Sequence, residues 1–173
     1  ENGRLVCRCG GKVAVTGAEE STLLYRAPTD NDVDAMFHNL MAPYTHQTEE
    51  VVFSGKTANG WKIITKLRNK CGSYTVTDTY QGTERGVLVT SVLHRVSGGR
   101  EVPRFGKCFR LDAAFDAVHY LGRCGESYCD MKDQFPIRAV DCTVADMVEP
   151  NLRPQESGNR TDCTVAAVSD GKT

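Results

Sequence analysis

The sequence predicts an all-β protein built as an antiparallel sandwich, and three observations lead to this fold class. From Glu49 onward, polar and apolar residues alternate with a period of two, which is the pattern of strands with one buried and one solvated face. Turn-forming pairs such as Asn59-Gly60 separate these segments at short intervals. Only Asp34–Met41 has a clear helical pattern, and no alternation of strands and helices indicates a parallel sheet.

The strand segments follow from β-branched and aromatic content and from the turns between them. The first two are joined at Gly10-Gly11, which predicts a hairpin. Trp61, the only tryptophan, falls within a later strand and is predicted to lie in the core. In chain order the predicted strands are Leu5–Cys9, Lys12–Thr16, Glu49–Ser54, Trp61–Leu67, Ser73–Tyr80, Val87–Arg95, Arg104–Leu111, Ala117–Leu121 and Thr164–Val168. Ser21–Tyr25 is a further apolar stretch, and Val140–Met147 is predicted to be a strand or an extended segment. The remaining turns are predicted at Asn69–Gly72, Gln81-Gly82 and Ser97–Gly99.

Length and charge bound the domain count and the class of partner. A chain of 173 residues is one domain or part of one, and we expect a single domain over residues 1–173. A formal net charge of −1 gives no electrostatic basis for binding nucleic acid or an anionic membrane surface. No apolar run approaches the roughly 20 residues that span a bilayer. The opening residues lack a signal-peptide pattern, which suits a mature protein or an internal segment.

The 8 cysteines have no Cys-x-x-Cys spacing that would indicate a metal site. Most of them lie among strand residues, where a free thiol packs as a small apolar group. We therefore expect mostly reduced, buried thiols in a reducing compartment, while disulfides remain an alternative because pairing cannot be deduced from sequence.

Three polar loops carry the residues with the most chemistry, namely Arg26–Asp32, Gly122–Asp130 and Arg153–Asp162. Guanidinium, carboxylate and carboxamide groups supply planar donors and acceptors, which can read sugar hydroxyl groups or lock a loop to its neighbours. Both interpretations remain open. The candidate binding residues are Arg26, Asp30, Asn31, Asp32, Glu126, Gln155, Glu156, Asn159 and Arg160.

The first of these loops also contains groups that could bind a cation. Asp30, Asn31 and Asp32 offer oxygen ligands, but their spacing lacks the alternation and central glycine of a helix-loop-helix calcium site. An Asx-turn or a helix cap is the simpler interpretation, so no metal ligand is predicted.

These loops resemble the signature motifs of one family. Arg26-Ala-Pro-Thr-Asp-Asn-Asp32 is similar to the motif near the start of the C-terminal domain of family 2 β-galactosidases. Pro154-Gln-Glu-Ser-Gly-Asn-Arg-Thr-Asp162 is similar to that domain's Pro-Gln-Glu-Asn-Gly-Asn-Arg-x-Asp run. Between them lie three further matching segments, Val102-Pro-Arg-Phe-Gly106, Tyr120-Leu-Gly-Arg123 and Glu126-x-Tyr128-x-Asp130. The resemblance covers nearly the whole chain.

The resemblance implies a galactose-mutarotase-like super-sandwich, of which this chain would be the N-terminal part with the last strands missing. It implies that the two catalytic glutamates of the retaining hydrolysis lie in an upstream barrel, so this segment alone is predicted to be inactive. The polar loops would shape the galactoside pocket and the assembly with the other domains. No cofactor is implied here, and any divalent cation of the parent enzyme would be bound elsewhere.

The resemblance also implies partners and a location. The partners would be the remaining domains of the β-galactosidase, the galactoside and further copies in a homo-oligomer, without nucleic acid or membrane. We expect a cytoplasmic location, with the periplasm as the alternative. Truncation of a larger sandwich would leave strand edges unpaired, so we expect self-association.

Two other functions remain as alternatives. One is a stand-alone carbohydrate-binding module that uses planar polar groups and a tyrosine such as Tyr120 or Tyr128. The other is an aldose 1-epimerase, which needs a general acid and a general base at the sugar ring, for example His94 or His119 with a glutamate.

Overall fold

The computed structural model describes residues 7–9, 12–15, 21–24, 47–84, 86–98, 102, 104–125, 132–148 and 159–171. The strands in this part of the chain are β1 (Cys7–Cys9), β2 (Lys12–Val15), β3 (Ser21–Leu23), β4 (Thr48–Thr57), β5 (Gly60–Asn69), β6 (Gly72–Thr83), β7 (Gly86–Ser97), β8 (Gly106–Cys108), β9 (Ala117–Arg123), β10 (Ile137–Thr143) and β11 (Val165–Ser169). Two 3₁₀ turns occur at Lys132–Gln134 and Ala145–Met147. The described residues divide into two compact units, the first ending at residue 110 and the second starting at residue 111.

The largest sheet of the first unit has the strand order β4-β5-β6-β7, and each neighbouring pair is antiparallel. Its side chains alternate between a buried and a more exposed face, as the pleat of a strand requires. On β5 the buried residues are Ile63, Thr65 and Leu67, and on β6 they include Tyr74 and Val76. The cross-strand pairs Thr65–Val76 and Leu67–Tyr74 place these residues on the same face of the sheet. That face forms the core of the unit.

A two-stranded antiparallel ribbon, β3 with β8, packs on this buried face. Leu24, which follows β3 directly, belongs to the same core cluster as Leu67. Lys107 of β8 places its Nζ 2.6 Å from the carboxylate of Asp78 on β6, whose side chain is only 3% exposed. The hydroxyl of Ser91 on β7 donates to the same carboxylate at 2.6 Å. Because an unpaired buried charge is strongly destabilising, this pair restricts where the ribbon can lie on the sheet.

The second unit contains a three-stranded antiparallel sheet with the order β10-β9-β11. On the central strand β9, Val118 and Tyr120 are 7% and 6% exposed, and Gly122 is also buried. His119 and Leu121 alternate with them and are exposed. The central strand β9 therefore has one covered and one open face, whereas on β11 Ala166 and Val168, which pair with Tyr120 and Val118, are also exposed.

The predicted all-β, antiparallel sandwich class is confirmed. In every sheet that the described residues form, neighbouring strands are antiparallel. The predicted helix at Asp34–Met41 lies outside the described residues. The expectation of a single domain over residues 1–173 stays a prediction. No helix in the described part of the chain has the length and apolar character needed to cross a membrane.

Four local predictions were wrong. Gln81-Gly82 continues β6 instead of forming a turn, because both residues pair with β7. Val140–Met147, predicted to be a strand or an extended segment, belongs to a strand that starts earlier, at Ile137, and ends in a 3₁₀ turn. A strand was predicted over Arg104–Leu111, but β8 spans only three of these residues. Trp61 is 42% exposed, because it follows the β4–β5 turn directly and lies at the end of the sheet, where its indole N–H donates to Ser54.

The cysteines are free thiols wherever the structure describes their side chains: Cys71, Cys108, Cys124, Cys142 and Cys163. Of these, Cys71 is buried and Cys163 is exposed, so the expected burial holds only in part.

Candidate functional site

The sequence-predicted site residues fall mostly outside the described part of the chain. Asn159 and Arg160 are described, and both are partly buried. The residues of the prediction that lie outside the described ranges are Arg26, Asp30, Asn31, Asp32, Glu126, Gln155 and Glu156. The site can therefore be built from the end of the third polar loop and from whatever it contacts.

The end of that loop runs beside the last residues of β9. The backbone N–H of Arg123 donates to the carbonyl of Thr161 at 3.1 Å, and the N–H of Thr164 donates to the carbonyl of Leu121 at 3.0 Å. These two bonds extend the pairing of β9 with β11 toward the loop. As a result, two separate sequence motifs, Tyr120–Arg123 and Asn159–Asp162, lie side by side. We call this region the Arg123 junction, comprising Tyr120, Gly122, Arg123, Arg160 and Asp162.

The guanidinium of Arg123 is the centre of the junction, and its side chain is 17% exposed. Its Nε donates to the Asp162 carboxylate at 2.9 Å, and its two terminal nitrogens donate to the Phe135 carbonyl at 2.8 Å and to the Asp133 carboxylate at 3.0 Å. Arginine suits this position because its planar, fixed fork can satisfy several acceptors in different directions. The side chain thereby ties the motif of β9 to both flanking segments.

A second guanidinium completes the junction. Nε of Arg160 donates to the hydroxyl of Tyr120 at 3.2 Å, and its Nη1 donates to the carbonyl of Asn159 at 3.1 Å. Tyr120 is buried, so its hydroxyl needs a partner of this kind, and Arg160 supplies one.

Two backbone features make the close contact between the motifs possible. Asp162 has φ of 54°, in the left-handed region that asparagine and aspartate tolerate better than most residues. At Gly122, a Cβ would lie 2.5 Å from Sγ and 3.0 Å from Cα of Cys163, so only glycine lets the two segments approach this closely. The sequence singled out both residues as turn or motif positions without indicating that they meet.

The contacts of the junction are those of a positioning element. The Arg123 guanidinium donates to two carboxylates and one carbonyl of the chain itself, which is the arrangement of a loop locked to its neighbours. The described partners of Arg123 are Asp133, Phe135 and Asp162. Their separations of 10, 12 and 39 residues left no local signal that could have identified them.

The histidines proposed for an epimerase do not form part of this junction. Nδ1 of His119 lies 2.5 Å from the Asp141 carboxylate across β9 and β10, on the opposite face from Tyr120. His94 is exposed on β7, in the other unit. Within the described residues, no group of three or more His, Cys, Asp or Glu side chains could hold a metal ion.

One carboxylate near the end of β10 has a shifted pKa. The hydroxyl and the backbone N–H of Thr143 donate to Asp146 at 2.7 and 2.9 Å, and these bonds lower the pKa of Asp146 from its ordinary value. The N–H of Asp146 donates back to the Thr143 hydroxyl at 3.3 Å. This reciprocal pair links the end of β10 to the 3₁₀ turn, so the shift reflects local structure.

Comparison with known proteins gives a consistent result. The chain matches the family model described as beta galactosidase small chain over residues 2–173. It is similar to a β-galactosidase of Priestia megaterium, with 38% identity over 154 residues, and to a β-galactosidase of Staphylococcus xylosus, with 30% identity over 156 residues. These matches cover 84% and 86% of this chain, but the chain spans only 15% and 16% of the length of the two relatives.

Proposed function

We propose, since the chain belongs to the β-galactosidase small-chain family, that it serves as an accessory, non-catalytic part of a β-galactosidase. In this role it helps to shape the galactoside pocket and to assemble the enzyme, while the reactive carboxylates belong to another part of the protein. The observation that carries the proposal is the family match over residues 2–173, together with relatives that are several times longer than this chain.

The contacts of the Arg123 junction support a positioning role. Its guanidiniums bond to groups of the chain, which leaves a braced segment at residues 159–162. A braced loop end of this kind is what a pocket wall requires, because groups that position a substrate must hold a fixed place.

The proposal leaves the bond cleavage to the rest of the enzyme. Retaining hydrolysis of a β-galactoside needs two carboxyl groups about 5–5.5 Å apart, one as nucleophile and one as acid and base. In this proposal the remaining domains supply that pair, and the chain's own loops donate hydrogen bonds to the sugar or to those domains. The same reasoning gives the partners, namely the other domains, the galactoside and further copies of the enzyme.

A chimera tests the proposal. The segment of the Priestia megaterium enzyme that matches this chain, about 154 residues, is replaced by the corresponding residues of this chain. We expect the chimera to hydrolyse a chromogenic β-galactoside, and the same enzyme with the segment deleted to be inactive. A soluble, correctly sized chimera without activity, or full activity in the deletion variant, would overturn the proposal.

Direct sugar contact is tested separately, by titrating the isolated chain with galactose and following amide shifts by NMR. Shifts confined to the junction and the polar loops would support contact of these loops with the glycone. No shift at any sugar concentration would leave the chain with the assembly role alone, and shifts elsewhere would place the sugar contact on a different surface.

A further inference from the structure

The open face of the sheet β10-β9-β11 has an unexpected composition. An antiparallel sheet with one solvated face normally carries polar side chains on that face. Here Leu121 of β9 is 41% exposed, Ile137 of β10 is 55% exposed and Val165 of β11 is 60% exposed. The exposed alanines 139 and 167 lie among them.

The register shows that these residues form one continuous surface. Leu121 pairs with Ala139 on one side and with Val165 on the other, and the neighbouring row places His119 between Asp141 and Ala167. Because successive residues point to opposite faces, residues two apart on each strand share this face. We define the outer face as Leu121, Ile137, Ala139, Val165 and Ala167, bordered at one end by the His119–Asp141 pair and at the other by Arg123, which pairs with Ile137.

The apolar rows of the outer face lie between charged groups. Ile137 pairs with Arg123, the next row is Ala139, Leu121 and Val165, and the rows toward Thr143 and Ser169 carry the His119–Asp141 pair and then hydroxyl groups. Such a surface favours a partner with a matching arrangement of polar and apolar groups, because a mismatch would bury charges against apolar groups. The small alanine side chains leave shallow grooves between the larger ones, which suits the side chains of a second packed layer.

We propose that the outer face is the docking surface for the remainder of the β-galactosidase polypeptide. This inference rests on the proposed function and adds the surface through which the accessory part is held. The occupant is argued from length, since the relatives contain more than five-sixths of their chain outside the matching segment. A contiguous apolar surface on a segment that is covalently part of so much larger a protein is expected to be buried against it.

The chemistry of the partner's surface follows from this arrangement. Opposite Leu121, Ile137 and Val165 the partner presents apolar side chains, and opposite Asp141 it presents a hydrogen-bond donor. A donor is needed there because docking removes water from a carboxylate that is 82% exposed in the segment alone.

The test uses the full-length chimera described above. Val165→Lys and Leu121→Lys each place a charge on the outer face, and both positions are exposed enough for the segment to fold. Val148→Lys is the matched control, since Val148 is 66% exposed in the same unit but lies off the sheet. We expect each outer-face variant to shorten the half-life of activity at elevated temperature at least tenfold, with the control within about twofold of the parent chimera.

The outcomes separate this inference from the proposed function. An inactive parent chimera overturns the proposed function, and the docking surface with it. An active parent chimera whose outer-face variants behave like the control overturns the docking surface alone. If Val165→Lys converts a self-associated isolated chain to monomer but leaves the chimera unchanged, the face belongs to a second copy, which also overturns the inference.

Circular dichroism of the isolated Val165→Lys and Leu121→Lys chains guards against simple unfolding. Strand content and melting temperature close to those of the parent chain are expected, since the covered face of the sheet is untouched. If both variants unfold, Val165→Thr, which keeps the β-branched shape and removes apolar character, repeats the comparison with a smaller expected loss of about threefold.

Discussion

Replacing Arg123 by alanine tests the positioning role of the Arg123 junction most sharply. The change removes three hydrogen bonds, of which the bond to Asp133 counts least because that carboxylate is 85% exposed, so its pair contributes under about 1 kcal/mol. The bonds to the Phe135 carbonyl and to Asp162 each contribute about 1 kcal/mol of stability, the typical net value of a hydrogen bond within a protein. The expected loss is therefore about 2 kcal/mol of local stability, or about a 30-fold rise in the opening equilibrium.

Amide hydrogen exchange measured by NMR reads this opening residue by residue. The informative amides are those of residues 123 and 164, which donate to Thr161 and Leu121 across the junction. Arg138→Ala is the matched control, because Arg138 is an exposed arginine of the same sheet, so the charge change is the same. The positioning role of Arg123 is contradicted if the chain stays folded and the protection at residues 123 and 164 falls no further in Arg123→Ala than in Arg138→Ala.

Three further changes test other contacts. Gly122→Ala should destabilise the second unit by about 1–3 kcal/mol in chemical denaturation, because the added methyl lies 3.0 Å from the Cα of Cys163. Gly82→Ala is the control and should destabilise the chain far less, because no atom lies within 4 Å of the added methyl. Lys107→Met leaves the Asp78 carboxylate buried without its cation and should cost about 3 kcal/mol in denaturation followed by tryptophan fluorescence, and an unchanged midpoint would contradict the pairing. Asp146→Asn should lower the melting temperature at neutral pH but not in strong acid. The wild-type advantage is present above the ordinary pKa of 3.8 and is lost as pH falls through the lowered pKa, so a pH-independent difference would argue against it.

Strand positions were largely predictable because burial on one face imposes a period of two. β5 and β6 extend beyond their predicted ends by one to three residues, and their centres coincide with the alternation around Leu67 and Val76. Turn composition was a weaker guide. Gln81-Gly82 has turn-forming composition, but its pairing with β7 continues through both residues. The hydrogen bonds of the neighbouring pairs hold the strand together there, although glycine by itself weakens a strand. The prediction that Trp61 lies in the core was wrong because periodicity shows which face of a strand a residue occupies, but not how far the layer that covers that face extends.

The candidate site was predictable in composition and not in geometry. The sequence marked Arg160 and the motif that contains Arg123 as polar positions of interest. It could not show that Arg160 bonds to Tyr120 or that Arg123 bonds to Asp162, since these pairs are separated by about 40 residues and meet only through the register of β9 with β11. The choice between sugar binding and loop locking depended on those contacts, and the described ones favour locking.

The most direct measurement is the hydrolysis of a chromogenic β-galactoside by the isolated chain and by the Priestia megaterium chimera in one assay. We expect no turnover above buffer for the 173-residue chain alone and clear turnover for the chimera. Turnover by the isolated chain would place reactive carboxylates within it and contradict the accessory role. A folded chimera that does not hydrolyse the substrate would also contradict the accessory role.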